Sequence, residues 1–562
     1  MRSRCCRFSR GCVSRTHWRI SSASFQPTRF RARMSMSERQ SRRSADPTHH
    51  LLSDEAAAEL SSIPTEVINL GDAPPLAPAG ALTQGEVRAI LLSLLLAMFL
   101  AALDQTIVAT ALPTIGRQFG DVESLSWVIT AYLLSSTAVA PVFGSLADIY
   151  GRRVMIIVSL SLFVAGSVMC ALAPSLLVLI LGRALQGLGG GGIMPIVQTV
   201  ISDVVTPRER GKYQAYFSGV WVSAGIGGPI LGGFFAEHLH WSMIFWINLP
   251  LAIAALGLLL PKMAKIPVYH RRRKVDWLGG VLLMSAAMAV MLVLTWGGNR
   301  FAWLSPTILA LSGAAVLLAA SFVWHALRAR EPFLPLPLMS GTVVPWAMAG
   351  GAFTMGAMIA LTVHMPLYYE AVYHLTASQS GLALIPIAAV SVFGAAFTGR
   401  AMVHVERYKR IAILGTGFAA LMASAIAILT PLPLWLFLAL LSLCSLGLGT
   451  VFPVSVVSIQ NAVPRPQIGT ATGAMNFFRA LMASFTVAAF TAILLIALGG
   501  DIQLGGGEHR HVTGNVAAAD MVAAFRWVFG AAALMLAASA LCIVAMEERK
   551  LAGPEPTLSL SE

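Results

Sequence analysis

Asp104 stands inside LDQTIVATALPTI (103–115) and Arg183 inside GRALQGLGGGG (182–192), each embedded in apolar sequence. A carboxylic acid in apolar surroundings favours its neutral form, and an approaching cation reverses the preference. Such an acid can take up and release a proton, which is the chemistry that coupled transport needs. A plain helix–helix hydrogen bond is the structural alternative for Asp104. A buried arginine is also costly in an apolar medium and marks function; the alternative for Arg183 is a side chain snorkelling from near a helix end. Gln186 follows three residues later, on the same helical face.

A second cluster is GSLADIYGRR (144–153), where Gly144 and Gly151 frame Asp148 and are followed by Arg152 and Arg153. The acid can face a helix N-terminus, where partial positive charge favours an anion. The arginines can pair with acids or carbonyl ends elsewhere in the chain. Contacts that form in one conformation and break in another make a latch; the competing reading is that the arginines only anchor topology. A third stretch, GVWVSAGIGGPILGG (219–233), gathers Gly225, Gly227, Gly228, Pro229, Gly232 and Gly233. Small residues let helices pack closely and proline permits a kink, so tight packing alone is the plain explanation. Gln186, Glu370, Asn476 and Arg479 are candidates for a substrate pathway. Glu370 would attract a cationic cargo or stand as a solvated loop acid, and His364 is expected to bond a neighbouring helix. The sequence holds no phosphate loop, nucleophile triad or metal-type spacing, and its six cysteines include no CxxC. No metal, cofactor or enzymatic activity is expected.

What must position these residues is a set of membrane helices. The chain is 56% hydrophobic and 12% charged over 562 residues, against about a quarter charged in soluble domains. Apolar runs near twenty residues recur from about residue 88 to 546 and do not alternate, so helices rather than a barrel are expected. Fourteen spans are counted, among them 126–146 and 154–173, with GSLADIYGRR as the connection between them. Eighteen Lys and Arg of the connections fall on one side, Arg152, Arg208, Lys212, Lys262, Arg328 and Lys409 among them; Arg117, Arg300 and Arg510 fall on the other. The positive-inside rule then puts the first side and both termini in the cytoplasm. This distribution, with twelve arginines in the first 43 residues, explains the net charge of +13 without nucleic acid.

LGGGGIMP (188–195) and LGLGTVFP (446–453) share spacing and are each followed by a basic turn. The offset implies two related halves in one orientation. Carried back, it sets Asp148 opposite Glu406 and Arg152 opposite Arg410. The resulting domains are a disordered basic tail and linker (1–86), a six-helix half (87–265), a two-helix insertion (266–340), a second six-helix half (341–548) and a cytoplasmic tail (549–562). The first 33 residues lack an acid, which superficially resembles a transit peptide; Met34 and Met36 are alternative starts.

Gly144-x-Leu146-Ala147-Asp148-x-x-Gly151-Arg152-Arg153 resembles the signature loop of the major facilitator superfamily and falls between spans 2 and 3, as that family requires. GRALQGLGGGG resembles its span 4 motif, with Arg183 matching an arginine linked to proton transfer. GVWVSAGIGGPILGG is similar to the antiporter motif of span 5. LDQTIVATALPTI, WSMIFWINLP (241–250) and VDWLGG (275–280) resemble the fourteen-span drug:proton antiporter branch. The likeness spans roughly residues 87–546. Span 13 lacks a Gly-Pro copy, and Glu370 stands where an uncharged polar residue is common.

The resemblance implies an all-α integral membrane fold of two six-helix halves plus two extra helices. It implies proton-coupled efflux of amphipathic small molecules by alternating access across the inner, cytoplasmic membrane. Asp104 and Arg183 would couple protons. Gly144, Asp148, Gly151, Arg152 and Arg153 would latch the outward-facing state. Gly225, Gly228, Pro229, Gly232 and Gly233 would form the antiporter helix. The expected partners are a small-molecule substrate, protons and the lipid bilayer, with a periplasmic adaptor protein as a candidate and no nucleic acid. The alternatives are a solute:proton symporter or exporter of a specific metabolite, and a membrane sensor or scaffold; the scaffold needs neither Asp104 nor Arg183.

Overall fold

The computed structural model describes residues 84–120, 124–263, 274–298, 300–498 and 518–551. The basic tail with Met34, Met36 and its cysteines, the arginines at 271–273, Arg510 and most of the C-terminal tail lie outside the described residues.

Fourteen helices are long and apolar enough to cross a membrane. The first half holds α1 (Gln84–Phe119), α2 (Trp127–Tyr150), α3 (Arg152–Ala171), α4 (Leu176–Val204), α5 (Pro207–His238) and α6 (Asn248–Met263), the last entered through a single turn at Met243–Trp246. Then come α7 (Trp277–Trp296) and α8 (Pro306–Arg328). The second half holds α9 (Val344–Tyr373), α10 (Ala377–His404), α11 (Lys409–Leu429), α12 (Leu434–Ala462), α13 (Ile468–Ala497) and α14 (Ala518–Ala545). At 1.5 Å per residue each of these spans except α6 is about 30 Å or longer; α6 gains its length from the turn before it. Each half encloses its own buried apolar clusters.

Asp276 caps the N-terminus of α7. It accepts from the Gly279 amide at 2.9 Å, the Phe333 amide at 3.2 Å and His325 Nε2 of α8 at 2.7 Å. Partial burial pushes this carboxyl up, but the Gly279 amide, His325 and the Phe333 amide outweigh it and hold it below the ordinary carboxylate range. This clasp ties the two inserted helices to each other and to the segment entering the second half.

Lipid is as apolar as leucine, so helices in a membrane associate by close fit rather than by the hydrophobic effect. The glycines of GRALQGLGGGG show the device. A β-carbon at Gly187 would meet Ser135 Oγ at 2.0 Å and one at Gly191 the Ser136 carbonyl at 2.2 Å, both on α2. One at Gly189 would meet the Phe163 nitrogen of α3 at 2.3 Å. The run serves two neighbours at once because successive residues turn about 100° around the helix.

The halves meet at two crossings related by an approximate two-fold: α2, second helix of the first half, packs on α13, fifth of the second, and α5 packs on α10. Glycine sits on both sides of each. A β-carbon at Gly144 would lie 2.3 Å from the Gly469 carbonyl oxygen, and one at Gly469 lies 2.4 Å from that of Gly144. One at Gly399 would lie 2.0 Å from the Gly211 carbonyl oxygen. The inserted α7 packs against α2 and α13, beside the first crossing.

The structure departs from two expectations. GSLADIYGRR is not a loop between spans. α2 continues to Tyr150, α3 starts at Arg152, and Gly151 alone joins them, with a φ of 90° that favours glycine. Counting apolar residues stops at the first charge, whereas Asp148 and Arg152 neutralise each other inside the fold. Nor does Glu406 stand opposite Asp148. The crossing glycines Gly211 and Gly469 keep an offset of 258 residues, but Gly144 and Gly399 are 255 apart. The longer turn after α10 leaves Glu406 exposed.

Candidate functional site

Asp104 lies in the interior of the first half with no accessible surface. Arg183 Nη1 of α4 donates to its Oδ2 at 2.5 Å. Gln186 Nε2 and Asn248 Nδ2 donate to its Oδ1 at 2.7 and 2.9 Å. Both amide groups act through N–H donors, so this is the bonding pattern of an ionised, acceptor-only carboxylate. Arg183 is 1% exposed and tightly held. It also reaches the Gln186 carbonyl oxygen at 2.7 Å, gives Nε–H to the Val128 carbonyl at 3.0 Å and stacks 4.4 Å from the centre of the Tyr132 ring. Ser167 Oγ of α3 accepts from Asn248 at 2.9 Å and donates to the Phe245 carbonyl at 2.8 Å. One carboxylate thus gathers α1, α4 and α6, with α2 and α3 one bond further out.

Sequence placed Asp104 and Arg183 together only conditionally, and the structure joins them with Gln186, which had been assigned to a substrate pathway. Asn248, Ser167 and Tyr132 were missed. Asn248 was visible as the polar residue of WINLP; serine and tyrosine carry no comparable signal. Replacing Asn248 by alanine removes one charge-assisted bond, worth about 1.5–3 kcal/mol, and is expected to reduce gradient-driven transport about tenfold or more with insertion intact. Asn248→Asp, which sets a second carboxylate against Asp104, is expected to do worse; uptake into vesicles under an imposed pH gradient measures both variants.

The second cluster sits where the α2–α13 crossing meets the membrane face richest in loop arginines. Asp148 is 3% exposed. Its Oδ1 accepts from the Gly469 amide at 3.0 Å and its Oδ2 from the Thr470 amide and hydroxyl at 2.7 and 2.9 Å, so it caps α13 across the seam between the halves. Arg152 Nη2 pairs with Asp148 at 3.0 Å and reaches the Arg465 carbonyl at 3.3 Å, while its Nε pairs with Asp203 at 3.0 Å. Asp203, at the end of α4, was missed in sequence. Arg153 is half-buried at the start of α3. Gln198 Oε1 accepts from Asn476 at 2.9 Å, a further bond across the seam.

Of the α5 glycines, Gly228 and Gly232 approach α1 closely. A β-carbon at Gly228 would lie 2.0 Å from Thr106 Oγ1, and one at Gly232 2.4 Å from the Ile107 carbonyl oxygen. Gly225, Gly227 and Gly233 have nothing within 4 Å. Thr106 donates to the Ala224 carbonyl at 2.8 Å, tying α1, the helix of Asp104, to α5. Gly228→Val is expected to reduce transport at least tenfold by separating these helices, and Gly225→Val to leave it near wild type; paired uptake assays at equal expression check this. Arg479 lies in the second half, Glu370 is half-buried at the far end of α9, and neither joins the Asp104 cluster. His364 Nε2 lies 3.1 Å from Thr491 Oγ1 of α13, the neighbouring-helix bond expected of it. No group of three or more His, Cys, Asp or Glu side chains suited to a metal is found among the described residues.

Two six-helix halves meeting at a seam, with an ion pair sealed inside one of them, make a multi-pass membrane protein, and the family its sequence matches makes it a transporter and not an enzyme. The chain belongs to the Major Facilitator Superfamily, whose sequence profile matches residues 94–487. The efflux pump FUS6 of Gibberella moniliformis is 35% identical over 404 residues, 69% of this chain and 71% of that protein. The MFS-type efflux pump LUC4 of a Fusarium species is 32% identical over 75% of this chain and 78% of its own length. The multidrug transporter protein MdtP of Bacillus subtilis is 30% identical over 73% and 76%. The crystal structure of the human organic anion transporter MFSD10 superposes with a TM-score of 0.54, covering 81% of this chain and 99% of that one; at 14% identity it speaks for the fold alone.

Proposed function

We propose that this chain exports amphipathic small molecules across a cytoplasmic membrane in exchange for protons, by alternating access, with Asp104 as the proton-exchanging group. The observation that carries the reading is the fully buried Asp104, held by Arg183, Gln186 and Asn248. A proton on Asp104 removes the negative charge that strengthens those three bonds and turns one carboxylate oxygen into a donor. Arg183 is the largest of them, and it also grips Val128 and Tyr132 at the start of α2. The other end of α2 carries Asp148, twenty residues and about 30 Å away along one helix. That continuity supports proton occupancy biasing the seam, a coupling between two sites through one rigid element.

The charge asymmetry of the loops supports the Asp148 face as cytoplasmic with both termini on that side. The seam is closed at that face, which under this orientation seals the cytoplasmic side. The relatives called efflux pumps and multidrug transporters support the direction of transport. The test is purified protein in vesicles with an imposed pH gradient, screened against dyes and metabolites. Cargo accumulation against its gradient, lost when the pH gradient collapses, supports exchange. Cargo moving in the same direction as the protons overturns it in favour of symport.

A further inference from the structure

Four arginines are buried within the described spans: Arg152, Arg183, Arg210 and Arg479. Arg183 pairs with Asp104, and Arg152 with Asp148 and Asp203. Arg210, near the membrane face, donates to the Ser202 and Val205 carbonyls at 2.6 and 3.3 Å, where the α4 helix ends. Arg479 is different. It is 7% exposed in the middle of α13, eleven residues and about 16 Å from that helix's start. Among the described residues no acid forms an ion pair with it. Nη2 donates to Ser455 Oγ of α12, the guanidinium lies 5.3 Å from the centre of the Phe452 ring, and Nε is buried with no hydrogen-bond partner. Gly351 of α9 gives it room: a β-carbon there would stand 3.1 Å from Nε and from Nη2.

A guanidinium keeps its charge at any physiological pH, and an uncompensated charge at this depth is expensive. One hydroxyl and one ring do not discharge it. Of the helices packed against α13, α7 and α12 contain no acid, the acids of α2 and α4, Asp148 and Asp203, are held by Arg152, and Asp520 of α14 is exposed in that helix's first turn. The acid of α9 is Glu370, nineteen residues and about 28 Å along the helix from Gly351. The first half, by contrast, balances its own arginine internally. Asn476, three residues before Arg479, bonds Gln198 across the seam, so this cation lies close to the surface along which the halves part.

We infer that Arg479 is the binding site for the acidic group of an amphipathic organic anion, the cargo's apolar body lying along Phe452. This rests on the reading of the chain as an exporter of small molecules, but not on proton coupling. The cargo class is therefore an organic acid carrying a carboxylate, sulfonate or similar group, rather than the lipophilic cation that Glu370 would attract.

The test is binding to the purified full-length protein without any pH gradient, so that a failure of proton coupling leaves the result readable. The probes are 1-naphthalenesulfonate and the matched cation 1-naphthyltrimethylammonium, read by equilibrium dialysis and by thermal stabilisation. Wild type should prefer the sulfonate, and Arg479→Gln should weaken it at least tenfold without weakening the cation. Equal sulfonate affinity in wild type and Arg479→Gln overturns the proposal, as does a wild type that prefers the ammonium. Stabilisation by chloride alone that the sulfonate does not exceed overturns the organic class. Should Arg479→Gln fail to fold, the preference is read in Arg479→Lys, which keeps the charge; a folded Arg479→Lys with no preference for the sulfonate overturns the assignment equally.

Discussion

Replacing Asp104 by asparagine is expected to reduce gradient-driven transport to the level of protein-free vesicles while the protein still inserts. Asparagine matches the size of aspartate and can still accept one bond from Arg183, but it cannot exchange a proton. It also leaves Arg183 buried without a counter-charge. Breaking a buried pair from one side costs about 3–5 kcal/mol, so the single variant should melt at a lower temperature than wild type. The second variant separates the two effects. Asp104→Asn with Arg183→Gln removes both charges and should recover much of the lost stability, yet it should transport no better. If the single variant still concentrates cargo using protons, Asp104 is structural and the coupling site lies elsewhere. Downhill movement of cargo is expected to survive in both, since the acid is enclosed within the first half and away from the seam.

Asp148→Asn is expected to open the seam at the face that carries it. The carboxylate takes two amides and a hydroxyl from α13 besides Arg152. Asparagine keeps one acceptor oxygen, turns a donor toward the α13 amides and carries no charge to meet the helix N-terminus. Loss of one bond to a charged group is worth about 1.5–3 kcal/mol, roughly a ten- to hundredfold change in the ratio of closed to open molecules. Spin labels at Val154 of α3 and Val405 after α10, both exposed and on opposite halves, report the separation. A distance distribution unchanged from wild type, with transport also unchanged, would leave Asp148 and its arginines with an anchoring role alone.

The number of spans was legible in sequence because lipid imposes length and apolarity on each one. Asp104 and Arg183 were legible for the same reason: a charge within an uncharged run declares itself. What accompanied them was not. Asn248, Ser167 and Tyr132 are residues that any membrane helix can carry, and only their convergence on Asp104 gives them a role. Asp203 was hidden by position, since an acid at the end of a span looks like a loop acid until the structure shows its side chain paired with Arg152. The junction at Gly151 was misread because charges were taken as the end of a helix. The offset between the halves held for α4 and α12 but slipped by three residues at α10, where the turn is longer, so a register taken from one loop could not be carried to another.

The four glycines of the crossings have a genetic consequence. Every missense change of a glycine codon adds at least a β-carbon, and at Gly144, Gly469 and Gly399 that carbon would fall within 2.4 Å of backbone oxygen on the opposite half. At Gly211 it would fall 3.1 Å from one, a tolerance of a single methyl group. A random library scored for failure to seal this face should therefore accumulate lesions at three codons regardless of which amino acid is introduced, and at the fourth only for residues larger than alanine. At helix glycines with open space, such as Gly225 and Gly233, severity depends on the substituent. Glycines packed within one half, Gly191 and Gly232 among them, would share that insensitivity to the substituent, so it is the failure to seal that assigns an allele to the crossings.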